Sequence, residues 1–386
     1  MNESTFAPGG GRAETAARGQ GPAGLEAVGS VAVRTFANHQ HMTTPRKSMD
    51  GLDVNSRAGD LSGEKPTGFA DYDNVPEGHF YDPDAEYEPD PEYAATLAPD
   101  AARQRRERIG PTGRPLPYFP IPGPLTDHGP ATIIAMCNQK GGVGKTTSTI
   151  NLGAALAEYG RRVLLVDFDP QGALSVGLGV NPMELDLTVY NLLMERGMSA
   201  DEVLLKTAVP NMDLLPSNID LSAAEVQLVS EVARESTLQR ALKPLMADYD
   251  YIVIDCQPSL GLLTVNALTA AHKVIVPLEC EFFALRGVAL LTETIEKVQE
   301  RLNPELELDG ILATMYDSRT VHSREVLARV VEAFDDHVYH TVIGRTVRFP
   351  ETTVAGEPIT TYASNSVGAA AYRQLAREVL ARCPAE

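Results

Sequence analysis

A glycine-rich segment that contains two lysines follows the apolar run at positions 132–136. Residues 138–147 read Asn-Gln-Lys-Gly-Gly-Val-Gly-Lys-Thr-Thr. Glycines let backbone N–H groups curl around phosphate oxygens, and the first turn of a following helix adds a positive dipole end. In such a loop Lys145 reaches the β- and γ-phosphates, and the Thr146 hydroxyl binds Mg²⁺. A glycine-rich turn without a ligand is the alternative, but the strand-loop-helix context favours a phosphate-binding loop.

The segment holds one lysine more than the chemistry of a single subunit requires. An ordinary phosphate loop reads Gly, four free positions, then Gly-Lys-Ser/Thr. Here Gly144, Lys145 and Thr146 fill its end, whereas Gln139 stands at the first glycine position and Lys140 follows it. We expect Lys140, at the entrance of the loop, to face away from its own nucleotide and to serve a neighbouring subunit.

Three aspartates stand at the ends of two further apolar runs. Asp167 and Asp169 end the run that starts at Val163, and Asp255 ends the run that starts at Tyr251. A carboxylate at the end of a buried strand is costly unless a cation or water uses it. Four apolar residues before Asp255 are typical of a Walker B strand, whose carboxylate holds Mg²⁺, usually through water. A carboxylate that only caps the following turn is the alternative for the other two.

Apolar runs alternate with helical patterns from Ala131 onward, which predicts an α/β fold with a parallel sheet covered on both faces. The predicted strands are Ile133–Met136, Val163–Val166, Met212–Leu215, Tyr251–Ile254, Lys273–Pro277 and Ile311–Met315. The predicted helices are Thr146–Tyr159, Leu238–Met246, Leu262–Ala271, Leu285–Arg301, Ser323–Phe334 and Val367–Ala381. Ligands of such sheets bind at the carboxyl ends of the strands, where the lysines and aspartates fall.

Residues 138–147 resemble the deviant Walker A loop of the ParA/MinD superfamily of ATPases. The other motifs narrow the resemblance to the ParA/Soj branch, which assists chromosome and plasmid partition, and it covers Ala131 to the C-terminus. It implies a P-loop NTPase fold with a mostly parallel twisted sheet, ATP and Mg²⁺ as cofactors, and a homodimer that ATP joins and hydrolysis separates. It also implies a ParB-like partner that stimulates hydrolysis.

The resemblance assigns roles to individual residues. It makes Lys140, which enters the partner's site, a catalytic residue together with Lys145, and it makes Asp169 the residue that orients the attacking water. The metal ligands that it implies are Thr146, Asp167 and Asp255. The nucleotide contacts that it implies are Lys140, Gly141, Gly142, Val143, Gly144, Lys145, Thr146, Thr147 and, against the adenine, Met315 and Pro350.

Two positions depart from the family pattern. Ala173 stands where the family usually has Asn after Gln-Gly, and Gln257 replaces the first Pro of Asp-Cys/Thr-Pro-Pro-Ser. Both lie in loops next to the expected nucleotide, so we expect the switch behaviour of these loops to differ from that of the family.

Three arginines resemble ParA/Soj positions that contact DNA phosphates without regard to sequence. They are Arg319, Arg345 and Arg348. The alternative is a set of surface salt bridges in an acidic protein, because the chain carries a formal net charge of −19. Local basic clusters would have to overcome that background.

Residues 1–130 are predicted to form a disordered extension, and residues 131–386 the ATPase domain. The extension is rich in Gly, Pro and acids, and it has too few aliphatic runs to offset chain entropy. Nine acids and no Lys or Arg occur between Asp71 and Glu92, before a short basic run at 103–108. An interaction tail that competes for basic surfaces and a solvated spacer are both consistent with this pattern.

The chain shows no secretory signal and no run of 18 apolar residues, and its four cysteines are scattered, which predicts a reduced cytoplasmic protein. The resemblance implies that this protein is associated with the nucleoid. A MinD-like ATPase at membranes would need a basic amphipathic C-terminal tail, which the sequence does not show. The remaining alternative is a ParA-like ATPase that positions another cargo or regulates replication or development.

Overall fold

The computed structural model of the chain describes residues 109–281 and 284–383. Seven strands form one sheet in the order β3-β4-β2-β5-β1-β6-β7, and all neighbours are parallel except β3 and β4. The strands are β1 (Thr132–Met136), β2 (Val163–Phe168), β3 (Leu205–Lys206), β4 (Met212–Leu215), β5 (Tyr251–Cys256), β6 (Lys273–Glu279) and β7 (Glu307–Thr314).

Helices cover both faces of the sheet. They are α1 (Lys145–Glu158), α2 (Ala173–Gly177), α3 (Val189–Met194), α4 (Ala200–Val203), α5 (Leu221–Gln227), α6 (Thr237–Leu242), α7 (Leu262–Ala270), α8 (Ala284–Arg301), α9 (Val321–Phe334), α10 (Arg348–Ala355), α11 (Ile359–Tyr362) and α12 (Val367–Arg382). None of the helices in the described ranges is long and apolar enough to cross a membrane.

The central strands are apolar up to Asp167 and Asp255 near the carboxyl ends of β2 and β5, because each face of these strands packs against a separate core. In β1, Ile133 and Ala135 belong to one core, and Ile134 and Met136 belong to the other. Helices α5 to α9 contribute to the first core, and α1, α2, α11 and α12 contribute to the second. Alternate residues of a strand point to opposite faces, so a double-sided sheet needs runs without polar breaks. The predicted α/β fold is confirmed.

The six predicted strands are present, with differences at their ends. β7 begins at Glu307, before the predicted apolar run, because backbone pairing with β6 continues through its polar first residues. Met315 lies beyond β7 with a φ of 50°. The predicted helix 238–246 ends as an α-helix at Leu242 and continues as a 3₁₀-helix, since Pro244 lacks the N–H that an α-helical turn needs.

Residues 109–130, which the sequence analysis assigns to the extension, lie against the sheet domain, and we call them the strap. Arg114 donates from Nη1 to the carbonyl of Asp335 at 2.8 Å and from Nη2 to the carbonyl of Val338. Arg161 donates to the carbonyl of Gly123 at 2.7 Å. Charged donors and backbone acceptors thus hold the strap, while several of its apolar side chains, such as Tyr118 and Ile121, remain exposed. The folded region therefore starts before residue 131, whereas the acidic and basic runs lie outside the described residues.

The end of the strap is fixed at the amino edge of the sheet, opposite the carboxyl ends of the strands. Asp250, which is buried and directly precedes β5, pairs with His128 Nδ1 at 2.8 Å. The same carboxylate accepts hydrogen bonds from the backbone N–H groups of Gly129 at 3.0 Å and Arg162 at 2.7 Å. Strap contacts of this kind lie away from the edge where a ligand of the sheet would bind.

Candidate functional site

The predicted phosphate loop connects β1 to α1 and is pinned to two other strands. Asn138 Nδ2 donates to the carbonyl of Pro277 in β6 at 2.7 Å, and Asn138 Oδ1 accepts from the backbone N–H of Lys140 at 2.9 Å. The Thr314 hydroxyl of β7 donates to the carbonyl of Val143 at 2.8 Å. These bonds fix the loop at the carboxyl edge of the sheet.

Backbone conformation in this loop requires glycine at two positions. Gly142 and Gly144 have φ values of 75° and 86°, in the left-handed region that other residues rarely adopt. Gly144 caps helix α1 without a side-chain hydrogen bond to the first turn. The N–H groups of that turn therefore point toward the loop and can bind an anion.

The two lysines of the loop lie in different surroundings. Lys145 is 7% exposed, and its Nζ donates to the carbonyl of Lys140 at 3.3 Å. The Lys140 side chain is 44% exposed, and its Nζ contacts Glu279 at 2.9 Å and Glu281 at 2.6 Å. The pKa of Lys140 is raised: burial lowers it, but the hydrogen bonds and charges of the two glutamates outweigh that effect. Lys145 belongs to the interior of the loop, and Lys140 is held on its outer side.

Thr146 and Asp255 form the centre of a candidate Mg²⁺ site. The Thr146 hydroxyl donates to Asp255 Oδ2 at 2.6 Å, while Asp255 Oδ1 is buried and has no hydrogen-bond partner. A buried carboxylate oxygen without a partner is unfavourable unless a cation or water binds it. Burial first, and then the charge of Asp167, raises the pKa of Asp255 to about 8. This donor set fits Mg²⁺, which is held by few carboxylates together with hydroxyl, water and phosphate oxygens.

Asp167 and Asp169 occupy different environments at the end of β2. Asp167 pairs with Asp255 in the sheet register and is completely buried. Its Oδ2 accepts from the N–H and hydroxyl of Ser175 at 2.8 and 2.7 Å. Burial raises the pKa of Asp167 to about 7, although the Ser175 bonds oppose that rise. Asp169 lies in the following loop, where its Oδ1 accepts from the N–H of Gln171 at 2.9 Å.

A cavity of about 380 Å³ adjoins the phosphate loop. Gly144 and Thr147 form its wall toward the loop, and Met315 and Pro350, the two predicted adenine contacts, line it together. Arg345, Phe349 and Tyr372 form much of the remaining wall of the cavity. The rings of Phe349 and Tyr372 pack edge to face. The mostly apolar wall next to a phosphate loop suits a flat heterocyclic base.

The three predicted DNA-binding arginines are exposed, and each forms an ion pair. Arg319 pairs with Asp317 at 2.8 Å, Arg345 with Glu279 at 3.5 Å and Arg348 with Glu351 at 2.9 Å. Side-chain exposures of 88%, 66% and 55% leave these groups open to solvent. Pairs this exposed are weak, so they are compatible with exchange for phosphate as well as with a purely structural role.

Sequence reasoning missed several residues of the site. Glu279 and Glu281 follow the predicted strand 273–277 at the ligand edge, and their position was a signal that could have identified them. Ser175, which holds Asp167, gave no such signal. Cys137 and Cys256 stand far apart in the sequence, yet their Sγ atoms are 2.9 Å apart at the ends of the adjacent strands β1 and β5.

Known proteins match the part of the chain that contains the sheet and the candidate site. Residues 131–308 match the family model of an AAA domain. The sporulation initiation inhibitor protein Soj of Bacillus subtilis is 48% identical over 64% of this chain and 98% of its own length. The chromosome partitioning protein ParA of Caulobacter vibrioides is 48% identical over 66% of this chain and 95% of its own length. An uncharacterised protein of Mycobacterium tuberculosis is 69% identical over 71% of this chain and 86% of its own.

Solved structures show the same fold. A Mycobacterium smegmatis protein described as cobyrinic acid a,c-diamide synthase, with bound ADP and magnesium, is 46% identical and has a TM-score of 0.58 over 65% of this chain and 94% of its own. The septum site-determining protein MinD of Pyrococcus horikoshii, complexed with Mg-ADP, is 28% identical and has a TM-score of 0.53. The match covers 64% of this chain and 96% of the MinD chain. The chain spans nearly the whole length of these Soj and ParA proteins and is almost half identical to them, so it belongs to the ParA/Soj family of the ParA/MinD superfamily.

Proposed function

We propose that the protein is a Mg²⁺-dependent ATPase whose ATP-bound subunits pair face to face, bind DNA without sequence preference and take part in chromosome or plasmid partition. A ParB-like partner stimulates hydrolysis, and the protein acts in the cytoplasm on the nucleoid. The observation that carries the proposal is the separation of the two loop lysines. Lys145 is enclosed within the loop, while Lys140 remains exposed beside it.

The described residues provide complementary contacts for each part of MgATP. Glycine N–H groups, the first turn of α1 and Lys145 suit the phosphates, and the cavity with Met315 and Pro350 suits the adenine. The unpartnered oxygen of Asp255 suits Mg²⁺. Relatives support this assignment, since the M. smegmatis structures contain ADP or an ATP analogue together with magnesium.

Hydrolysis requires charge neutralisation and a positioned water more than a strong base. Mg²⁺, when bound, neutralises negative charge on the phosphates. Lys145 holds the β- and γ-phosphate oxygens, and Thr146 and Asp255 hold the metal. Asp169, half-buried in the loop after β2, orients water for in-line attack. A carboxylate that only orients water supports slow turnover, which suits a timer.

Lys140 supplies the second cation across the dimer interface. In the single chain its ammonium group lies between Glu279 and Glu281 instead of over its own phosphate loop. The Lys140–Glu281 pair is exposed on both sides and contributes less than about 1 kcal/mol, whereas the Glu279 side chain is only 13% exposed. A partner's triphosphate, which carries several negative charges, can replace both carboxylates at the Lys140 ammonium group. Binding of Lys140 to the partner's phosphates makes pairing depend on ATP.

Size-exclusion chromatography with and without ATP tests this function directly. We expect the wild-type chain to dimerise only with ATP. Lys145→Ala should abolish the ATP-dependent dimer, Lys140→Ala should prevent stable pairing or turnover, and Asp169→Ala should trap the dimer. Unchanged elution of the wild-type protein with ATP, at concentrations where the nucleotide is bound, contradicts the proposal.

The name of the M. smegmatis relative suggests a second candidate, ATP-dependent amide formation. The two functions share a phosphate loop but differ in what stimulates turnover. Partition ATPase activity should rise with DNA and a ParB-like protein. An amide synthase would instead hydrolyse ATP in proportion to an added carboxylate substrate and an ammonia source.

A further inference from the structure

The loop that follows Asp255 is tied to helix α5 by a pair of side chains. Gln257 Nε2 donates to Glu225 Oε1 at 2.9 Å. A Cβ atom at Gly261 would lie 2.2 Å from the same oxygen. The Glu225 carboxylate therefore fills space that only glycine at position 261 leaves open, with the Gln257 amide beside it. Two independent features of one loop thus accommodate a side chain from a separate helix.

This loop also borders the phosphate loop. A Cβ at Gly141 would lie 3.9 Å from Cβ of Pro258, which is ordinary van der Waals contact. Within the loop, the Ser259 N–H donates to the carbonyl of Gln257 at 2.9 Å, and the Thr264 hydroxyl of α7 donates to the carbonyl of Ser259 at 2.7 Å. Residues 257–261 therefore form a compact turn attached to α7, next to the place where phosphates and Mg²⁺ are proposed to bind.

Helix α5 connects this turn to the surface. Leu221 and Ala224 anchor the helix in the core, whereas Val226 at its outer side is 76% exposed. Gln257 supplies the amide donor of this bond, and the Glu225 carboxylate of α5 accepts it.

We propose that Glu225 and Gln257 are positioning residues that transmit the nucleotide state of the phosphate loop to helix α5. The inference rests on the proposed ATP cycle. Neither side chain contacts the reacting atoms; their hydrogen bond sets where α5 lies when residues 257–261 move. Loss of a hydrogen bond to a charged group corresponds to about a tenfold change in an equilibrium constant.

An environment-sensitive fluorophore attached to Ser222→Cys, an exposed position in α5, reports changes in the position of this helix directly. Labelling is selective because all four native cysteines are buried. Gln257→Glu places two carboxylates against each other. The double variant Glu225→Gln/Gln257→Glu exchanges donor and acceptor and restores the bond. Gln227→Glu makes the same chemical change at an exposed position of α5 and is the matched control.

We expect ATP to change the fluorescence of the otherwise wild-type chain and of the Gln227→Glu control. In Gln257→Glu the change should be lost, and the ATP-dependent dimer should weaken about tenfold. Binding of a fluorescent ATP analogue should stay as in the wild type, and the melting temperature without nucleotide should fall by only a few degrees. The exchanged pair should recover the fluorescence change.

An unaltered fluorescence change in Gln257→Glu, no recovery in the exchanged pair, or no ATP-induced change in the wild-type background overturns the inference. A wild-type chain whose label responds as expected but which never dimerises would leave the Glu225–Gln257 coupling standing and would refute the proposed function instead.

Discussion

Lys140 and Lys145 are identical side chains in one loop, and their different surroundings are the basis of the different roles that we propose for them. Lys145 is enclosed, and its Nζ contacts only backbone oxygen of its own loop among the bonds described. Lys140 is exposed, and its Nζ lies between the carboxylates of Glu279 and Glu281. The residue types and their spacing predicted both lysines, but the pairing of Lys140 with the two glutamates depends on the placement of β6 beside β1.

The glutamate pair makes a prediction about assembly. Glu281→Gln removes one charge that holds Lys140 in its own subunit, so the ATP-dependent dimer should form more readily. The expected change is about 1.5- to 5-fold per subunit, the range for exposed ion pairs. Sedimentation at a series of protein concentrations measures it, with Glu300→Gln on α8 as a control. A weaker dimer would mean that Glu281 contacts the partner subunit instead.

Secondary-structure elements were predicted best where burial is symmetric. β1, β2 and β5 lie in the middle of the sheet, and their unbroken apolar runs revealed them. β3 has two residues, Leu205 and Lys206, at an antiparallel edge, which is too short for any periodicity. The short helices α2 to α5 were not predicted from the sequence, because they are also too short to show a period. Asp167, Asp169 and Asp255 could be placed because strand ends are visible in sequence, whereas the Ser175 contact depends on how α2 folds back.

The strap makes a prediction at the level of elements. Deleting residues 1–108 should leave the melting temperature almost unchanged, whereas deleting residues 1–130 removes the Arg114 and His128 contacts and should lower it. Arg114→Ala in the full chain should destabilise by about 1–3 kcal/mol, because it removes the charged hydrogen-bond donor of the Asp335 and Val338 carbonyls. Thermal unfolding measures all three variants. ATP turnover should stay near wild type in Arg114→Ala, since within the described ranges Arg114 bonds to Asp335 and Val338 and to no residue of the proposed site.

Equal melting temperatures for the two deletions would show that the strap does not contribute to folding. A large loss of turnover in Arg114→Ala, without a loss of stability, would place the strap in the catalytic cycle instead.

At the scale of the whole molecule, the proposed DNA binding requires an acidic protein to hold an acidic polymer through a few exposed cations. Arg319, Arg345 and Arg348 each pair with a carboxylate in the single chain, so phosphate must compete for them. Pairing of two subunits doubles the number of arginines on one assembly and raises avidity without a new type of contact. DNA retention can therefore follow the nucleotide state.

This arrangement predicts a nucleotide-dependent salt effect. With about three phosphate contacts per subunit, the slope of log K against log salt should be roughly −3 for a monomer and −5 for a dimer. Binding of arbitrary duplex DNA by the ATP-trapped Asp169→Ala variant, compared with the ADP-bound wild type, measures both slopes. Alanine at the three arginines should flatten the steeper slope, whereas Arg301→Ala on α8 should not. Equal slopes and affinities in both nucleotide states contradict ATP-gated binding.

Mixing two inactive variants asks most directly whether Lys140 acts on the nucleotide of the other subunit. Lys140→Ala keeps its own Asp169 but lacks the lysine that it should donate, and Asp169→Ala keeps Lys140 but cannot turn over its own ATP. If Lys140 acts across the interface, a mixed dimer contains one complete site, and the mixture should hydrolyse ATP well above the sum of the separate proteins. Turnover no higher than that sum, in a mixture shown by native mass spectrometry to contain mixed dimers, would contradict it.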